Sequence, residues 1–356
     1  MKIALFGSSL LSSYWNGAAT YYRGIIRALA SRGHDITFYE PDAFDRQKYR
    51  DIEPPSWAKS VVYQPTKECA LAEIEKARNA DLIIKASGVG VLDEFLDAAV
   101  LDLSSSRSLV AYWDVDAPAT LERARASATD KFRALIPRYD LIFTYGGGAP
   151  VVDSYHQLGA RACIPIYNAL DPETHHPEGV RPEYVADLSF LGNRLPDREA
   201  RVERFLLQPA YSRPKRSFLL AGNGWHDKSL PSNVRALGHV FTTDHNSFNC
   251  SARIILNINR DSMARFGFSP ATRVFEAAGA GACLLTDFWK GIDQFFEPGK
   301  EILVAQTGDE VAQILDRTSG EQAAEIGRHA LLRALAQHTY AHRADQFELV
   351  FEGCPP

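Results

Sequence analysis

Residues 266–287 decide the fold of this chain, and they read Phe-Gly-Phe-Ser-Pro-Ala-Thr-Arg-Val-Phe-Glu-Ala-Ala-Gly-Ala-Gly-Ala-Cys-Leu-Leu-Thr-Asp. A loop, a helix and a buried strand follow one another here. We expect Ser269 to cap a helix over residues 271–280, with Pro270 in its first turn, because proline lacks the amide donor that a first-turn residue leaves unpaired. The apolar run 282–286 then predicts a short strand that is buried on both faces, as in a parallel sheet.

The start of this predicted helix suits an anion. Free amide groups and the positive end of the helix dipole lie there, and both favour phosphate oxygens. Arg273 and Glu276 share one side of the helix, whereas the small residues Ala277 and Ala278 lie against the sheet. We interpret the stretch as a clamp for a nucleoside diphosphate.

The composition excludes several classes of protein. With 356 residues the chain is long enough for two α/β domains, and its formal charge of −5 disfavours a nucleic-acid surface, which needs a basic stripe. Five cysteines without paired spacing indicate neither a zinc ribbon nor a disulfide framework. The apolar run within Met1–Gly7 is too short for a signal peptide and no stretch is long enough to span a membrane, so we expect a cytoplasmic protein.

The N-terminal half alternates between strand and helix patterns. Lys2–Phe6 predicts a strand that enters the loop Gly7-Ser8-Ser9, and a helix and a second strand at 35–40 follow. This order opens a doubly wound fold, but the loop lacks Gly-x-Gly-x-x-Gly, which disfavours a nicotinamide or flavin cofactor. Residues 41–58 form a proline-rich connection with few helical signals. Further strands are predicted at 61–63, 82–86, 109–113, 141–145 and 162–166, and helices around 68–79, 91–101, 118–136 and 149–158.

The second half predicts another sheet. A strand at 187–191 runs into Gly192-Asn193-Arg194, and a strand at 217–221 ends in Gly222-Asn223. Glycines at these strand ends let the backbone approach a ligand closely. Arg194 offers a planar fork to phosphate oxygens, so we expect it to contact a diphosphate. Short strands at 238–241 and 254–258 and helices at 309–316, 321–336 and 340–351 complete the pattern.

The histidine pairs do not indicate a metal site. His175 and His176 are neighbours, which rarely point the same way, so we expect solvated linker residues. His338 and His342 are four apart, but Thr339 stands where a zinc protease needs glutamate. We therefore predict no metal ligands.

A family resemblance adds to these patterns. Residues 273–287, followed by Phe295-Phe296-Glu297-Pro298-Gly299-Lys300-Glu301-Ile302, resemble the C-terminal, group 1-like domain of GT-B glycosyltransferases, most closely the branch named for the spore-maturation protein CgeB. The resemblance implies an α/β fold with two Rossmann-like domains, each a mostly parallel sheet flanked by helices, and a cleft between them. It implies an N-terminal acceptor-side domain at 1–167, a linker at 168–184, a nucleotide-sugar-binding domain at 185–338 and a final helix within 339–356 that crosses back to the first domain.

The resemblance also assigns roles to residues. Glu276 matches the glutamate that binds the ribose of the donor, and Asn16 and Gly17 lie in the N-terminal loop that faces the donor phosphates or the acceptor. In the large retaining group an acidic residue stands eight positions before that glutamate, whereas this chain has Phe268. The predicted nucleotide-sugar-binding residues are Asn16, Gly17, Gly192, Asn193, Arg194, Gly222, Asn223, Ser269, Thr272, Arg273 and Glu276.

Asp114-Val115-Asp116 allows more than one interpretation. It resembles the Asp-x-Asp of metal-dependent GT-A glycosyltransferases, but a GT-B enzyme neutralises the diphosphate with helix dipoles and basic side chains. We expect Asp116 to face an acceptor hydroxyl as a base or hydrogen-bond partner. The alternative is that one of the two aspartates caps the helix that begins near Pro118.

We therefore expect a glycosyltransferase that moves a sugar from a nucleoside-diphosphate sugar, UDP- or GDP-linked, to a hydroxyl of a glycan, small molecule or protein. The expected reaction is metal-independent and retaining, with Asp116, Arg194 and Glu276 as its catalytic residues. We expect no permanently bound cofactor and no nucleic-acid partner. The alternatives are a nucleotide-sugar epimerase of the same fold and a non-catalytic module that binds a nucleotide sugar or a partner protein.

Overall fold

The structure, a computed structural model, describes residues 1–14, 16–88 and 90–352. The chain divides into two compact units. The N-terminal unit is Met1–Asn168 together with the described part of Tyr340–Pro356, and the C-terminal unit is Ala169–Thr339. Each unit is a parallel sheet flanked by helices, so the predicted fold class, two Rossmann-like domains, is confirmed.

The N-terminal unit contains a sheet of seven strands in the order β3-β2-β1-β4-β5-β6-β7, and all neighbouring strands run parallel. The strands are β1 (Lys2–Phe6), β2 (Asp35–Pro41), β3 (Lys59–Tyr63), β4 (Leu82–Ala86), β5 (Leu109–Asp114), β6 (Leu141–Thr144) and β7 (Cys163–Pro165). The chain direction across the sheet reverses between β1 and β4, and the loops after these strands meet at that point.

Seven α-helices belong to the described part of the N-terminal unit. They are α1 (Ala19–Ser31), α2 (Lys67–Lys76), α3 (Asp93–Ala99), α4 (Ala117–Ala126), α5 (Lys131–Leu135), α6 (Gly148–Gln157) and the last helix of the chain, α14 (Tyr340–Leu349). α14 packs against α1, and the ring of Phe347 stacks on Trp113 with 5.8 Å between ring centroids. One predicted helix, at 118–136, is two helices in the structure, because the side chain of Asp130 caps the start of α5.

The C-terminal unit contains six parallel strands in the order β10-β9-β8-β11-β12-β13. The strands are β8 (Ala186–Leu191), β9 (Phe218–Ala221), β10 (Val234–Leu237), β11 (Ala252–Asn257), β12 (Leu284–Asp287) and β13 (Leu303–Ala305). Apolar side chains such as Leu188, Ile254 and Leu285 form its core, because a sheet that helices cover on both faces buries nearly every strand residue.

The α-helices of the C-terminal unit are α7 (Pro196–Val202), α8 (Gln208–Ser212), α9 (His245–Ser251), α10 (Asp261–Phe266), α11 (Thr272–Gly279), α12 (Gly308–Arg317) and α13 (Gly320–Gln337). The prediction of a strand at 238–241 is wrong, since the strand in this part of the chain is β10, which ends at Leu237. Gly238 instead accepts a hydrogen bond from the amide of Gly222 through its carbonyl oxygen, at 2.9 Å. None of the described helices is both long and apolar enough to cross a membrane.

Candidate functional site

Helix α11 carries the predicted clamp, and its start differs from the prediction. Ala271, not Ser269, is the N-cap residue, and no described side chain caps the helix. The hydroxyl of Ser269 donates to the carbonyl oxygen of Gly267 at 3.0 Å, because the left-handed backbone at Gly267 and Phe268 turns the chain before the helix begins. Pro270 therefore lies before the helix and not in its first turn. The first amide groups of α11, including that of Thr272, have no side-chain cap within the part of the chain that the structure describes.

Phe268 occupies the position where the related group has an acidic residue, and its backbone is strained. Its φ of 49° is unusual for a residue with a side chain, and its amide donates to the carbonyl oxygen of Lys290 at 2.6 Å. A Cβ atom on Gly291 would come within 2.2 Å of the Phe268 ring, so glycine is required there for the ring to fit. The Lys290 ammonium lies 5.8 Å from the centre of the same ring. The position thus holds an aromatic ring under a lysine, with no carboxylate of its own.

Glu276 lies on α11 as a buried carboxylate. Glu276 as a residue is 6% exposed, and its Oε2 atom lies 3.2 Å from Nη1 of Arg273, which confirms that these residues share one side of the helix. Val274, Ala277 and Ala278 are also buried, where α11 packs on β11, β12 and α13. Nη1 of Arg273 also donates to Oδ1 of Asn249 at 3.4 Å.

Two histidines from distant parts of the chain complete this cluster. Nε2 of His175 lies 4.0 Å from Oε1 of Glu276, and the ring of His245 lies 6.4 Å from that of His175 between centroids. Neither Nε2 of His175 nor Nδ1 of His245 has a hydrogen-bond partner within the described ranges. The prediction that His175 is a solvated linker residue is wrong, since it is 5% exposed. The exposed neighbour is His176, because successive side chains point in different directions.

The charges of the cluster follow from burial and from Arg273. Burial alone would raise the pKa of Glu276, but the charge of the Arg273 guanidinium is the largest influence that brings it below its ordinary value. Burial lowers the pKa of His175, and burial together with Arg273 lowers the pKa of His245 to about 4. At neutral pH both imidazoles are therefore neutral, and Arg273 is the cation that holds the Glu276 carboxylate ionised.

His175, His245 and Glu276 form a group that can be compared with a metal site. Ligand atoms of His175, His245 and Glu276 all lie within 4.8 Å of one another. Zinc in a tetrahedral site holds its ligand atoms roughly 3.3 Å apart. The 4.0 Å between His175 and Glu276 is wider than this, and the charge of Arg273 opposes a second cation beside the same carboxylate. The arrangement suits hydroxyl groups better, since the carboxylate and the imidazole lone pairs accept hydrogen bonds.

The glycine turns after β8 and β9 lie against each other. A Cβ atom on Gly222, whose φ is +118°, would come within 2.3 Å of the carbonyl oxygen of Gly192. The amide of Asn223 donates to Oδ1 of Asn193 at 2.9 Å, and the amide of Arg194 donates to the carbonyl oxygen of Asn223 at 2.9 Å. These five predicted binding residues are thus brought together, and the glycines allow the close contact between the two turns.

Arg194 is already paired in this structure. Its Nε and Nη2 atoms donate to the two carboxylate oxygens of Glu199 at 2.8 and 2.7 Å, and Nη1 donates to Asp227 at 2.8 Å. These carboxylates hold the guanidinium in its charged form and raise the pKa of Arg194. Lys228 also binds Glu199, at 2.9 Å. A phosphate must exchange with Glu199 to reach the same edge of Arg194.

Asp114 and Asp116 differ in their surroundings in the N-terminal unit. Asp114 is fully buried, and its carboxylate accepts hydrogen bonds from Ser87 at 2.8 Å, from Tyr155 and from the amide of Asp116. Burial raises the pKa of Asp114 above its ordinary value. Asp116 is half-buried and is the N-cap residue of α4 by position, without a side-chain cap bond. Asp116 is thus the less buried of the two carboxylates.

Asn16 braces its own loop. Its Nδ2 atom donates to the carbonyl oxygens of Ser9 at 2.9 Å and Ser12 at 3.3 Å, and its Oδ1 atom accepts from the hydroxyl of Ser8 at 3.1 Å. Gly17 is exposed, and a Cβ atom there would meet nothing within 4 Å. The structure therefore shows a bracing role for Asn16 and no steric need for glycine at 17.

Sequence reasoning missed several residues with buried polar contacts. The guanidinium of Arg201 binds the carboxylate of Asp287, which is fully buried and also accepts from the amide of Asn259 at 3.1 Å. His245 and Arg46 were missed as well. Arg201, His245 and Arg46 lie in no motif, and their partners are far away in the sequence, so no local signal marks them.

Comparisons with known proteins bear on the family and on the fold. Residues 198–348 match the family model described as "Glycosyl transferase-like". That range contains Glu276 and the segment that carries the sequence resemblance, whereas Asp116 and Arg194 lie outside it. No curated protein sequence matches the chain.

Solved structures share the fold over nearly the whole chain. Sucrose-phosphate synthase from Thermosynechococcus elongatus superposes with a TM-score of 0.71 at 14% identity, over 99% of this chain and 98% of that one. HepE from Anabaena, in complex with UDP and glucose, has a TM-score of 0.69 at 14% identity, over 99% of both chains. An alpha-glucosyltransferase in complex with UDP has a TM-score of 0.70 at 12% identity, over 98% and 99%. This likeness establishes the GT-B fold.

Proposed function

We propose that this protein is a GT-B glycosyltransferase of the CgeB-like branch, which moves a sugar from a nucleoside-diphosphate sugar to an acceptor hydroxyl. The observation that carries the proposal is Glu276, an ionised carboxylate buried on α11 inside the segment that matches the family model. A cytoplasmic setting stays a prediction from the sequence.

The donor is proposed to bind through its ribose at Glu276. A carboxylate accepts hydrogen bonds from both hydroxyls of a ribose, and Arg273 holds it ionised for that purpose. A UDP- or GDP-sugar is the proposed donor. The support for UDP is that HepE and the alpha-glucosyltransferase were solved with UDP bound.

The diphosphate is proposed to lie before α11. The uncapped amides at Thr272 and Arg273 and the positive end of the helix dipole attract its oxygens, and Ser269 precedes them. Arg194 joins them when phosphate replaces Glu199, with the glycine turns at Gly192 and Gly222 beside it. Amides and a guanidinium neutralise the leaving diphosphate in this arrangement, which makes the proposed reaction independent of metal.

The proposed reaction retains the configuration of the sugar. The bond between the anomeric carbon and the diphosphate oxygen breaks, a bond to the acceptor oxygen forms on the same face, and the acceptor proton passes to the leaving phosphate. If the reaction instead inverts the configuration, the proton passes to Asp116 as general base. The amides before α11 stabilise the charge that develops on the leaving group in both cases.

A non-catalytic nucleotide-sugar-binding module is the second candidate. Phe268 stands where the large retaining group has an acidic residue, and Arg194 is engaged by Glu199 and Asp227. These two observations are compatible with binding without turnover.

Calorimetric titration tests the binding step. We expect one of UDP, GDP, ADP, CDP and dTDP to bind without added metal and with similar affinity in magnesium. Glu276→Gln should weaken that binding about 100-fold, since each hydrogen bond to a charged group contributes about 1.5–3 kcal/mol. Glu325→Gln on the exposed side of α13 is the matched control and should leave the affinity unchanged.

A product assay then separates the two candidates. Incubation with the sugar form of the diphosphate that binds, together with a panel of hydroxyl acceptors, should yield a glycosylated product and free diphosphate. Binding without product from any acceptor would favour the module. Binding of no diphosphate at millimolar concentration, or unchanged affinity in Glu276→Gln, would contradict the proposed donor site.

A further inference from the structure

Arg46 is a buried arginine in the irregular segment after β2. The side chain is fully buried, although the sequence predicted only an unstructured connection there. Its Nη1 atom donates to the carbonyl oxygen of Ser8 at 3.3 Å, and its guanidinium carbon lies 5.2 Å from the centre of the Phe44 ring. Arg46 is thus held against the loop that follows β1.

The opposite edge of the Arg46 guanidinium, Nε and Nη2, has no partner among the described residues. Nε and Nη2 find no hydrogen-bond acceptor within residues 1–14, 16–88 and 90–352. A buried donor that makes no hydrogen bond is costly, and a charged one more so, because it has lost its water without gaining a partner. Nε and Nη2 lie side by side, so their N–H groups form a two-pronged fork.

Arg194 shows what this edge of an arginine binds. There the same two atoms, Nε and Nη2, donate to the two oxygens of one carboxylate, that of Glu199, at 2.8 and 2.7 Å. Carboxylate and phosphate groups both present two oxygens at the spacing that the fork requires. The ligand chemistry that suits Arg46 is therefore an oxyanion.

Two acidic residues whose charges act on Arg46 are already engaged with other partners. Glu40 accepts hydrogen bonds from the hydroxyl of Ser9 at 3.1 Å, the amide of Leu10 at 2.5 Å and the side chain of Gln47 at 2.7 Å. Asp93 pairs with Lys85 at 3.0 Å. Both attract the charge of Arg46 from a distance, but neither binds it.

Arg46 lies where ligands bind in this class of fold. Its partner Ser8 follows β1, and a Cβ atom on Gly88, which follows β4, would come 3.3 Å from the Ser8 hydroxyl. β1 and β4 are the neighbouring strands at which the strand order of the sheet reverses. In open α/β sheets the crevice at such a reversal, outside the carboxyl ends of the strands, is the preferred ligand site.

The backbone before Arg46 is strained. Phe44 and Asp45 have φ angles of 57° and 55°, in the left-handed region that residues with side chains rarely adopt. Strain of this kind persists where the surrounding structure imposes it, and it concentrates at ligand sites. Two strained residues in succession turn the chain so that Arg46 is directed into the unit.

We propose that Arg46 binds an oxyanion group, a carboxylate or a phosphate, of a small-molecule ligand at the β1–β4 reversal of the N-terminal unit. The ligand accepts hydrogen bonds from Nε and Nη2. This site is independent of the donor site on α11, and it gives an acceptor with a negatively charged group a place to bind.

Nuclear magnetic resonance of the arginine Nε–H groups tests the proposal on the full chain without donor. The Arg46 resonance is assigned by its loss in Arg46→Lys, and the protein is titrated with acetate and, separately, with inorganic phosphate, against sodium chloride at matched ionic strength. We expect a saturable downfield shift of the Arg46 Nε–H proton with at least one of the two anions. The anion that saturates first identifies the charged group of the ligand.

Thermal unfolding with the same anions provides the second measurement. The anion should raise the Tm of the wild type and of Arg50→Met, the matched loss of an exposed arginine on the same segment, but not that of Arg46→Met. Without anion, Arg46→Met should fold and be at least as stable as the wild type, because methionine fills the space without buried N–H groups.

Three results would overturn the proposal. They are an Arg46 resonance that neither anion shifts, an equal rise in Tm in Arg46→Met, and an Arg46→Met protein that is unfolded or strongly destabilised. The last result would show that the guanidinium has a structural partner within the chain. Diphosphate binding at the α11 site is measured separately, so failure here leaves the proposed function standing.

Discussion

The guanidinium edge formed by Nε and Nη2 has different surroundings in Arg194, in the C-terminal unit, and in Arg46, in the N-terminal unit. In the C-terminal unit Arg194 is partly exposed, and Glu199 and Asp227 occupy its donors. In the N-terminal unit Arg46 is fully buried, and the described residues leave two of its nitrogen atoms without an acceptor. A phosphate at Arg194 has to compete with carboxylates of the chain, whereas an anion at Arg46 adds hydrogen bonds that the described residues do not supply. Arg46, which lies in no sequence motif, is therefore a better candidate for anion binding than Arg194.

Other buried charges of the C-terminal unit follow the pattern of Arg194. Glu276 is paired with Arg273, and the fully buried Asp287 is paired with Arg201. A buried charge that keeps its partner costs little, while one that loses its partner is strongly destabilising. This difference allows the comparison to be tested by removing one arginine at a time.

The largest expected effect is a loss of stability in Arg201→Met. The substitution leaves the carboxylate of Asp287 buried with only Asn259 and Thr286 as donors, so we expect the free energy of unfolding of the C-terminal unit to fall by about 3 kcal/mol. Urea denaturation followed by circular dichroism measures this. Arg46→Met is the same substitution at an arginine that has no carboxylate partner among the described residues, and it should not lower the free energy of unfolding. Equal losses in the two variants would remove the distinction between paired and unpaired arginines.

A second test concerns the glycine turns that position Arg194. Gly222→Ala places a methyl group 2.3 Å from the carbonyl oxygen of Gly192 and imposes a positive φ on alanine, so we expect a loss of about 2 kcal/mol in the free energy of unfolding. Gly17→Ala, which meets nothing within 4 Å, should stay within about 0.5 kcal/mol of the wild type. A neutral Gly222→Ala would mean that these turns do not depend on close contact.

The third prediction concerns pH. The pKa of His245 is lowered from 6.5 to about 4 in the folded protein, so the unfolded chain binds more protons between these values. The stability that the neutral imidazole contributes is complete above pH 6.5 and is lost as the pH falls towards 4. His245 is only half-buried as a residue, and solvent screening reduces the effect, so we expect about 1–2 kcal/mol.

His245→Asn is the variant that checks this pH dependence. Asparagine does not titrate in this range, so the decline in stability between pH 7 and pH 4 should become shallower by that amount. Chemical denaturation at a series of pH values measures it. An unchanged slope in His245→Asn would show that another group, such as His175, causes the acid sensitivity of the unit.

The smallest expected effect is a gain in affinity from Glu199→Gln. Removing one carboxylate charge frees the edge of Arg194 for phosphate, and since a partly exposed ion pair contributes about 0.2–1 kcal/mol, the gain should reach up to about fivefold. Calorimetry with the nucleoside diphosphate that binds the wild type measures it. Weaker binding in this variant would mean that Glu199 orients Arg194 for the ligand instead of competing with it.

Much of the fold could be predicted from the sequence. The predicted strands at 2–6 and 82–86 coincide with β1 and β4, and the one at 254–258 lies within two residues of β11, because buried parallel strands are short apolar runs with polar or glycine residues after them. The clamp segment was predicted as loop, helix and strand, and Arg273 and Glu276 share a side as their spacing requires. The errors arose at Ser269 and at 238–241, where a turn geometry decided the boundary.

The surroundings of the candidate residues could not be predicted in the same way. Motif position suggested Arg194 and Asn16, but their side chains are held by Glu199 and by the loop carbonyl groups of Ser9 and Ser12. The sequence predicts His175 as a solvated linker residue, because nothing near it in the sequence shows that α11 lies against it.

The sequence by itself determined the two parallel sheets, the glycine turns and the helix that carries Glu276, because hydrophobic periodicity and glycine placement act within a few residues of the chain. Only the tertiary structure decided which polar groups are paired. It brings His175 to Glu276 across 101 positions, and it places Arg46 beside Ser8, 38 residues away, with two donors left over. Hydrogen-bond satisfaction depends on atoms that meet only when the chain is folded, so it is absent from any local pattern.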